Sequence, residues 1–103
     1  MAYNLVVTEK AEDLLDNLIY HLIYGLKNDQ AAVHLLDRIG RIYERLEENP
    51  FHFPGSTDVN LLRMGYREAV LTEMDYVITF RVDKSSVYVV GIFHQLENYR
   101  KKV

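Results

Sequence analysis

Two long stretches with apolar residues at helical spacing constrain the fold of this chain more than any other feature. In residues 9–26 apolar side chains recur every three or four positions, and the same spacing returns after a break at GLKND. Apolar residues at these intervals lie along one side of a helix. The stripes are Leu14, Leu15, Leu18, Ile19, Leu22, Ile23 and Leu26, then Ala32, Leu35, Leu36, Ile39, Ile42, Tyr43 and Leu46. The spacing predicts two amphipathic helices, which the short break joins as an antiparallel pair.

The two predicted helices have start and stop signals. Thr8 offers a hydroxyl oxygen to the first free amides of a helix, and Glu9 suits the positive end of the helix dipole. Asn28 or Asp29 caps the second helix in the same way. Because Pro50 forbids easy continuation, the second helix is expected to end before ENP.

Runs with strand-like composition flank the helical pair. YNLVVT (residues 3–8) is short, apolar and β-branched, which is typical of a strand. After a loop at FHFPGSTD, three runs joined by short polar turns favour an antiparallel meander. These runs are NLLRMGYREAVLT (60–72), DYVITFRVD (75–83) and SSVYVVGIFH (85–94). The order β-α-α-β-β-β predicts one α+β domain over residues 1–103, with a helical hairpin packed on one face of a small antiparallel sheet.

Composition and motifs exclude several classes of function. The chain has 103 residues, no cysteine and a formal net charge of -3, so thiol chemistry is excluded and nucleic-acid binding lacks the usual surplus of cations. No phosphate-binding glycine loop or HExxH zinc motif occurs, and the four histidines are scattered. We therefore expect no cofactor and no metal site. Without a membrane-length apolar run or an N-terminal signal pattern, we expect a cytoplasmic protein that does not bind membranes.

Alternation along the predicted strands indicates one polar surface. In the run 60–72, Arg63 and Arg67 fall on the side opposite Tyr66. In the run 75–83, Arg81 falls on the side opposite Phe80. If the helices cover the apolar side, the three arginines emerge together on the open face of the sheet. There they would bind phosphate or carboxylate groups, or they would pair with acids of neighbouring strands.

His94 ends the apolar run of the last strand and has two interpretations. Its unperturbed pKa of about 6.5 suits a general acid or base near neutral pH. A histidine at a strand end also packs and forms hydrogen bonds with nearby backbone. The pattern of the last strand is apolar on both sides, so it does not decide which face of the sheet carries His94.

Several segments together resemble the RelE/ParE superfamily, the toxins of type II toxin–antitoxin systems that are often labelled plasmid stabilisation proteins. The segments are AEDLLDNLIYHL, RLEENPF, LLRMGYREAV, DYVITFRVD and VVGIFHQLENY, and they span nearly the whole chain. The resemblance implies the same order of elements. RelE-like members are ribosome-dependent mRNA interferases that cut without a metal, whereas ParE-like members inhibit DNA gyrase and have no nuclease centre.

The interferase pattern fits this chain only in part. That pattern has an arginine directly after an aromatic residue at the start of the third strand, where this chain has Val77. Arg67 matches one basic position of the second strand, and Ala69 replaces the alternate one. His94 matches the basic cluster after the last strand, and Gln95 departs from it. So little positive charge would stabilise the transition state of RNA cleavage poorly.

The ParE-like pattern matches LLRM, the uncharged YV that opens the third strand and the strand-terminal I-x-H. The resemblance therefore implies a toxin that inhibits DNA gyrase by protein contact and is neutralised by a cognate antitoxin in a hetero-oligomer. The residues expected to bind partners are Arg63, Arg67, Arg81, His94, Tyr99 and Arg100. Two alternatives stay open. One is an mRNA interferase that acts on the ribosome with Arg67, Arg81, His94 and Tyr99 as catalytic residues, and the other is an inactive toxin fold that serves as a binding module.

Overall fold

The computed structural model describes residues 3–71 and 73–95. Its helices and strands are β1 (Asn4–Val7), α1 (Glu9–Tyr20), α2 (Asp29–Glu48), α3 (Val59–Arg63), β2 (Tyr66–Leu71), β3 (Tyr76–Asp83) and β4 (Ser86–His94). A π-helical turn, His21–Gly25, extends α1, and a 3-10 turn, Pro50–His52, follows α2. The predicted α+β architecture is confirmed, with two long helices between the first strand and the other three.

Both long helices begin at the predicted capping residues. The Thr8 hydroxyl oxygen accepts a hydrogen bond from the Ala11 amide at 3.2 Å, and the hydroxyl itself donates to the Val89 carbonyl at 3.0 Å. Asn28 Oδ1 accepts from the Ala31 amide at 3.1 Å, so Asn28 rather than Asp29 is the cap of α2. The double role of Thr8 fixes the start of α1 against β4.

Residues 59–63 form a short helix, whereas the sequence analysis predicted a strand over residues 60–72. Asp58 Oδ1 accepts from the Asn60 and Leu61 amides at 3.0 and 3.1 Å, which caps the helix. Gly65 has a φ of 88° and ends it, because glycine adopts this left-handed conformation without steric cost. The prediction was wrong for the first half of this run, and β2 begins only at Tyr66.

The four strands form one sheet in the order β1-β4-β3-β2. The β2–β3–β4 meander is antiparallel, as predicted. However, β1 pairs in parallel with β4, so the sheet is mixed and not purely antiparallel. The physical reason is the connection: β1 is joined to the rest of the sheet through helices, and no tight turn requires it to run antiparallel to its neighbour.

One face of the sheet packs against the helices, and we call it the core face. Its residues share the main hydrophobic cluster with Ala11 of α1 and with Leu35, Ile39 and Leu46 of α2. From the strands, this cluster contains Ala69, Leu71, Ile78, Phe80, Val87, Val89 and Ile92. By strand alternation the second face carries Glu68, Val77, Thr79 and Arg81. On that face Val77 and Phe93 form a smaller cluster, and Leu14 of α1 packs against it.

Candidate functional site

Arg67 lies on the core face of β2 and fastens the loop that follows α2. It has the same strand parity as the buried residues Ala69 and Leu71. Its Nη1 donates to the Phe53 carbonyl at 2.7 Å, and its guanidinium carbon lies 4.9 Å from the centre of the Phe51 ring. The side chain is therefore engaged in holding chain segments together within the fold.

Arg81 lies on the opposite face of the sheet and is exposed. In register it stands between Tyr66 of β2 and Tyr88 of β4, and both tyrosines are half-buried. Arg63 is exposed too, but it belongs to α3 and not to a strand.

The prediction that these three arginines share the open face was therefore wrong. Helix α3 interrupts the strand alternation that had linked Arg63 to Arg67. The apolar side of β2 is also the side that bears Arg67, because Ala69 and Leu71 bury this side against the helices.

His94 lies on the core face, at the end of β4, and is half-buried. It is the register partner of Tyr76, and the two rings meet edge to face at 5.6 Å with an interplanar angle of 83°. Burial raises the pKa of the Tyr76 hydroxyl above its ordinary value of 10.0. His94 is thus on the core face, where its imidazole and the Tyr76 ring form an aromatic pair.

The other positions at which the chain was compared with the interferase pattern have structural contacts of their own. Val77 is 1% exposed and packs with Phe93, so the start of β3 contributes an apolar contact. Ala69 is fully buried. The Gln95 amide donates to the Asp75 carbonyl at 2.8 Å, which closes the end of β4 against β3. Tyr99 and Arg100 lie outside the described residues.

Glu68 is a buried acid of β2, one of the strand acids that were expected only as partners for the arginines. It is 6% exposed, and the Ser56 hydroxyl donates to its Oε2 at 3.3 Å. The Ser56 amide donates to the Tyr66 carbonyl at 3.0 Å, and the Glu68 amide donates to the Pro54 carbonyl at 3.1 Å. These contacts attach residues 54–56 along the outer side of β2, so this edge of the sheet is covered.

A groove between α2 and the end of β2 gathers three arginines that the sequence analysis did not group. Arg38, Arg41 and Arg45 lie three and four positions apart in α2 and project from one side of the helix. We define the arginine groove by its lining: Arg38, Arg41, Ile42, Glu44, Arg45, Val70, Leu71, Glu73 and Met74. Its volume is about 390 Å³. The helical spacing of the arginines shows in the sequence that they share one side of α2, but it does not show what lies opposite that side.

An ion pair joins α2 to the turn after β2 at one end of the groove. Arg38 Nη2 lies 2.6 and 2.7 Å from the two carboxylate oxygens of Glu73. His34 Nε2 is 3.4 Å from Glu73 Oε2. The Arg38 side chain is 39% exposed, so this pair orients the guanidinium more than it stabilises the fold.

The other two groove arginines are also oriented by neighbours. Arg41 Nε donates to Asp37 Oδ2 at 3.0 Å, and the Arg41 side chain is 68% exposed. The Arg45 guanidinium carbon lies 4.6 Å from the centre of the Phe53 ring. Stacking on the ring leaves the N–H groups of Arg45 without an acceptor inside the described part of the chain.

Two further features bear on function. Within residues 3–71 and 73–95, no group of three or more histidine, aspartate or glutamate side chains is arranged to hold a metal ion. No helix in the same ranges is both long enough and apolar enough to cross a bilayer.

A solved structure shares the fold of this chain. A chain of the solved structure described as "Chromosomal ParDE TA system from P. aeruginosa" matches with a TM-score of 0.71. The match has 21% sequence identity and covers 89% of this chain and 95% of that chain. At this identity the likeness establishes the α+β fold and no more. No curated protein sequence matches the chain.

The sequence itself identifies the family. Residues 5–99 match the family model "ParE toxin of type II toxin-antitoxin system, parDE". Because the match covers most of the chain, this protein belongs to the ParE toxin family.

Proposed function

We propose that this chain inhibits DNA gyrase by protein contact, and that a cognate antitoxin neutralises it in a cytoplasmic hetero-oligomer. Membership of the ParE toxin family supports both parts of the proposal. The observation that carries the non-enzymatic mechanism is the separation of Arg67 and Arg81 on opposite faces of the sheet. Cations that stabilise the cleavage of a phosphodiester must reach the same phosphate, and these two do not converge.

The region best suited to contact a protein partner is the row that Arg81 forms with Tyr66 and Tyr88. Tyrosine and arginine are, with tryptophan, the residue types enriched among the hot spots of protein interfaces. In register, the row continues to Val6 of β1, which is 39% exposed. We infer that this row meets gyrase or the antitoxin, while Arg67 supports the fold behind it.

The test is a paired assay on the purified chain, with plasmid supercoiling by gyrase and mRNA cleavage on programmed ribosomes. We expect supercoiling to be inhibited while the mRNA stays intact. Cleaved mRNA with unaffected gyrase would overturn the proposal in favour of the interferase. If neither assay responds, the inactive binding module becomes the better interpretation.

The contact row has its own test. Arg81→Glu is expected to weaken gyrase inhibition or antitoxin affinity, because it reverses the charge at the centre of the row. Lys27→Glu makes the same change of charge at the exposed turn between the helices, and it serves as the control. Equal effects of the two substitutions would show that net charge, and not the row, controls binding.

His94 tests the interferase alternative directly. His94→Phe keeps an aromatic ring against Tyr76 and removes proton transfer. We expect this variant to fold and to inhibit gyrase as the unchanged chain does. A folded His94→Phe protein that has lost its toxicity would instead give His94 a chemical role.

A further inference from the structure

The arginine groove combines an apolar floor with a charged rim. Ile42, Val70, Leu71 and Met74 supply apolar lining, and Val70 is 43% exposed although it belongs to a strand. The rim carries the three arginines of α2 together with Glu44 and Glu73. A volume of about 390 Å³ lies within the usual range of roughly 300–1,000 Å³ for ligand sites.

The rim has unused hydrogen-bond donors. Arg41 uses its Nε for Asp37, so both of its Nη groups remain available. Arg45 stacks on Phe53 and offers its guanidinium edge. Arg38 Nε also has no acceptor within the described residues, but this atom is buried and does not face a ligand in the groove. Side chains that are already oriented lose less entropy when they bind a carboxylate, so the groove is prepared for an acceptor.

The chemistry of the groove favours an acidic peptide over a nucleic acid. A phosphate backbone would gain nothing from the apolar floor, and Glu44 and Glu73 would repel a continuous line of negative charge. The formal net charge of -3 opposes a nucleic acid, which carries a charge on every phosphate, more than it opposes a peptide with a few carboxylates. By contrast, single carboxylates bind arginine bidentately, and an apolar side chain between them would fill the floor.

We propose that the arginine groove binds a segment of the cognate antitoxin in which carboxylates flank an apolar side chain. The antitoxin as occupant rests on the proposed function, whereas the chemistry of the occupant rests on the groove alone. The carboxylates pair with Arg41 and Arg45, and the apolar side chain packs against the floor. Arg38 holds Glu73 aside at the end of the groove.

The experiment uses synthetic helical peptides with a constant leucine core and with flanking glutamates, glutamines or lysines. A fluorescent single-stranded RNA of mixed sequence serves as the competing probe. Binding to the full chain is measured by fluorescence anisotropy. We expect the glutamate peptide to bind best, and Arg41→Glu and Arg45→Glu each to weaken it about tenfold or more, as the loss of a charged hydrogen bond requires.

Two controls locate the binding event. Lys84→Glu makes the same change of charge in the β3–β4 turn, at the other end of the sheet from Glu73, and should leave peptide binding unchanged. Methyl NMR should shift the signal of Met74, which lines the groove, and leave that of Met64, exposed after α3, unmoved.

Several results would overturn this inference. They are RNA binding in preference to the peptides, equal binding of the glutamate and lysine peptides, no binding of any peptide, and glutamate-peptide binding that survives both arginine substitutions. The gyrase assay on the unchanged chain separates the two proposals. Failure to inhibit gyrase counts against the proposed function. The peptide results test separately whether the groove binds an acidic peptide.

Discussion

Two sets of three arginines in this molecule differ in whether the fold brings them together. Strand alternation along the sequence places Arg63, Arg67 and Arg81 on one face, but the fold separates them into a helix and two faces of a sheet. Arg38, Arg41 and Arg45 match no known motif, yet they lie on one side of α2 and line the same groove. Side chains at helical spacing lie on one side of an unbroken helix, so their grouping is predicted reliably from the sequence. Grouping across strands is predicted correctly only when the start and end of every strand are predicted correctly.

The largest effect that would test this comparison concerns Arg67. Arg67→Ala removes a charged hydrogen bond to the Phe53 carbonyl and the stacking on Phe51. We expect it to lower the free energy of unfolding by about 2 kcal/mol, measured by urea denaturation. A loss below about 0.5 kcal/mol would mean that the side chain is free to bind partners after all.

A smaller effect is expected at Asp58, whose side chain starts the helix that displaced Arg63 from the sheet. Asp58→Ala removes the acceptor for the Asn60 and Leu61 amides, and should lower the free energy of unfolding by about 1 kcal/mol. Asp58→Asn keeps an acceptor and is the matched control. Equal stability of the alanine variant and the parent in urea denaturation would contradict the capping role.

Arg81 should contribute much less to stability than Arg67. Because its side chain is exposed on the second face, Arg81→Ala is expected to change the free energy of unfolding by no more than about 0.5 kcal/mol. Run beside Arg67→Ala in the same denaturation series, it shows whether the two faces use arginine differently. Similar losses for both variants would remove the distinction.

The smallest expected effect is a loss of stability at alkaline pH, and it comes from Tyr43 on the side of α2 that faces the core. Burial, and then the negative charge of Glu12, raise the pKa of the Tyr43 hydroxyl above its ordinary value of 10.0. The unfolded chain therefore loses this proton at lower pH than the folded chain does. The contribution of Tyr43 to stability is fully present below pH 10.0, and it is lost as the pH rises towards the folded pKa. Tyr43→Phe should reduce that decline, measured as the difference in urea midpoints at about pH 8 and just above pH 10. An unchanged decline would show that Tyr43 does not cause it.

Sequence reasoning was strongest where a periodic pattern was long. The stripes of α1 and α2 and the alternation of β3 gave the helical hairpin and the core side of the sheet, and Thr8 and Asn28 cap as expected. It failed over residues 59–65, because five residues are too few for a helical period to emerge from apolar composition. There the informative signals were single residues, the cap Asp58 and the left-handed Gly65.

The candidate site was predicted less well, for a related reason. Alternation placed Arg81 on the correct side of β3, but it did not place Arg67, because both sides of β2 carry apolar residues and the sequence does not show which side is buried. His94 had the same ambiguity, which only its pairing with Tyr76 resolves. The arginine groove needed the position of β2 beside α2, and no pattern within α2 contains that information.

The hydroxyl of Thr8 bonds to a carbonyl 81 residues further along the chain. In the sheet β1 pairs with β4, so this edge can form only after the last strand has been synthesised. Closing this edge requires contacts of very high sequence separation, which form slowly during folding. Until the last strand is available, the backbone groups of β1 that face β4 have no partner in the sheet, and they are open to pairing with another chain.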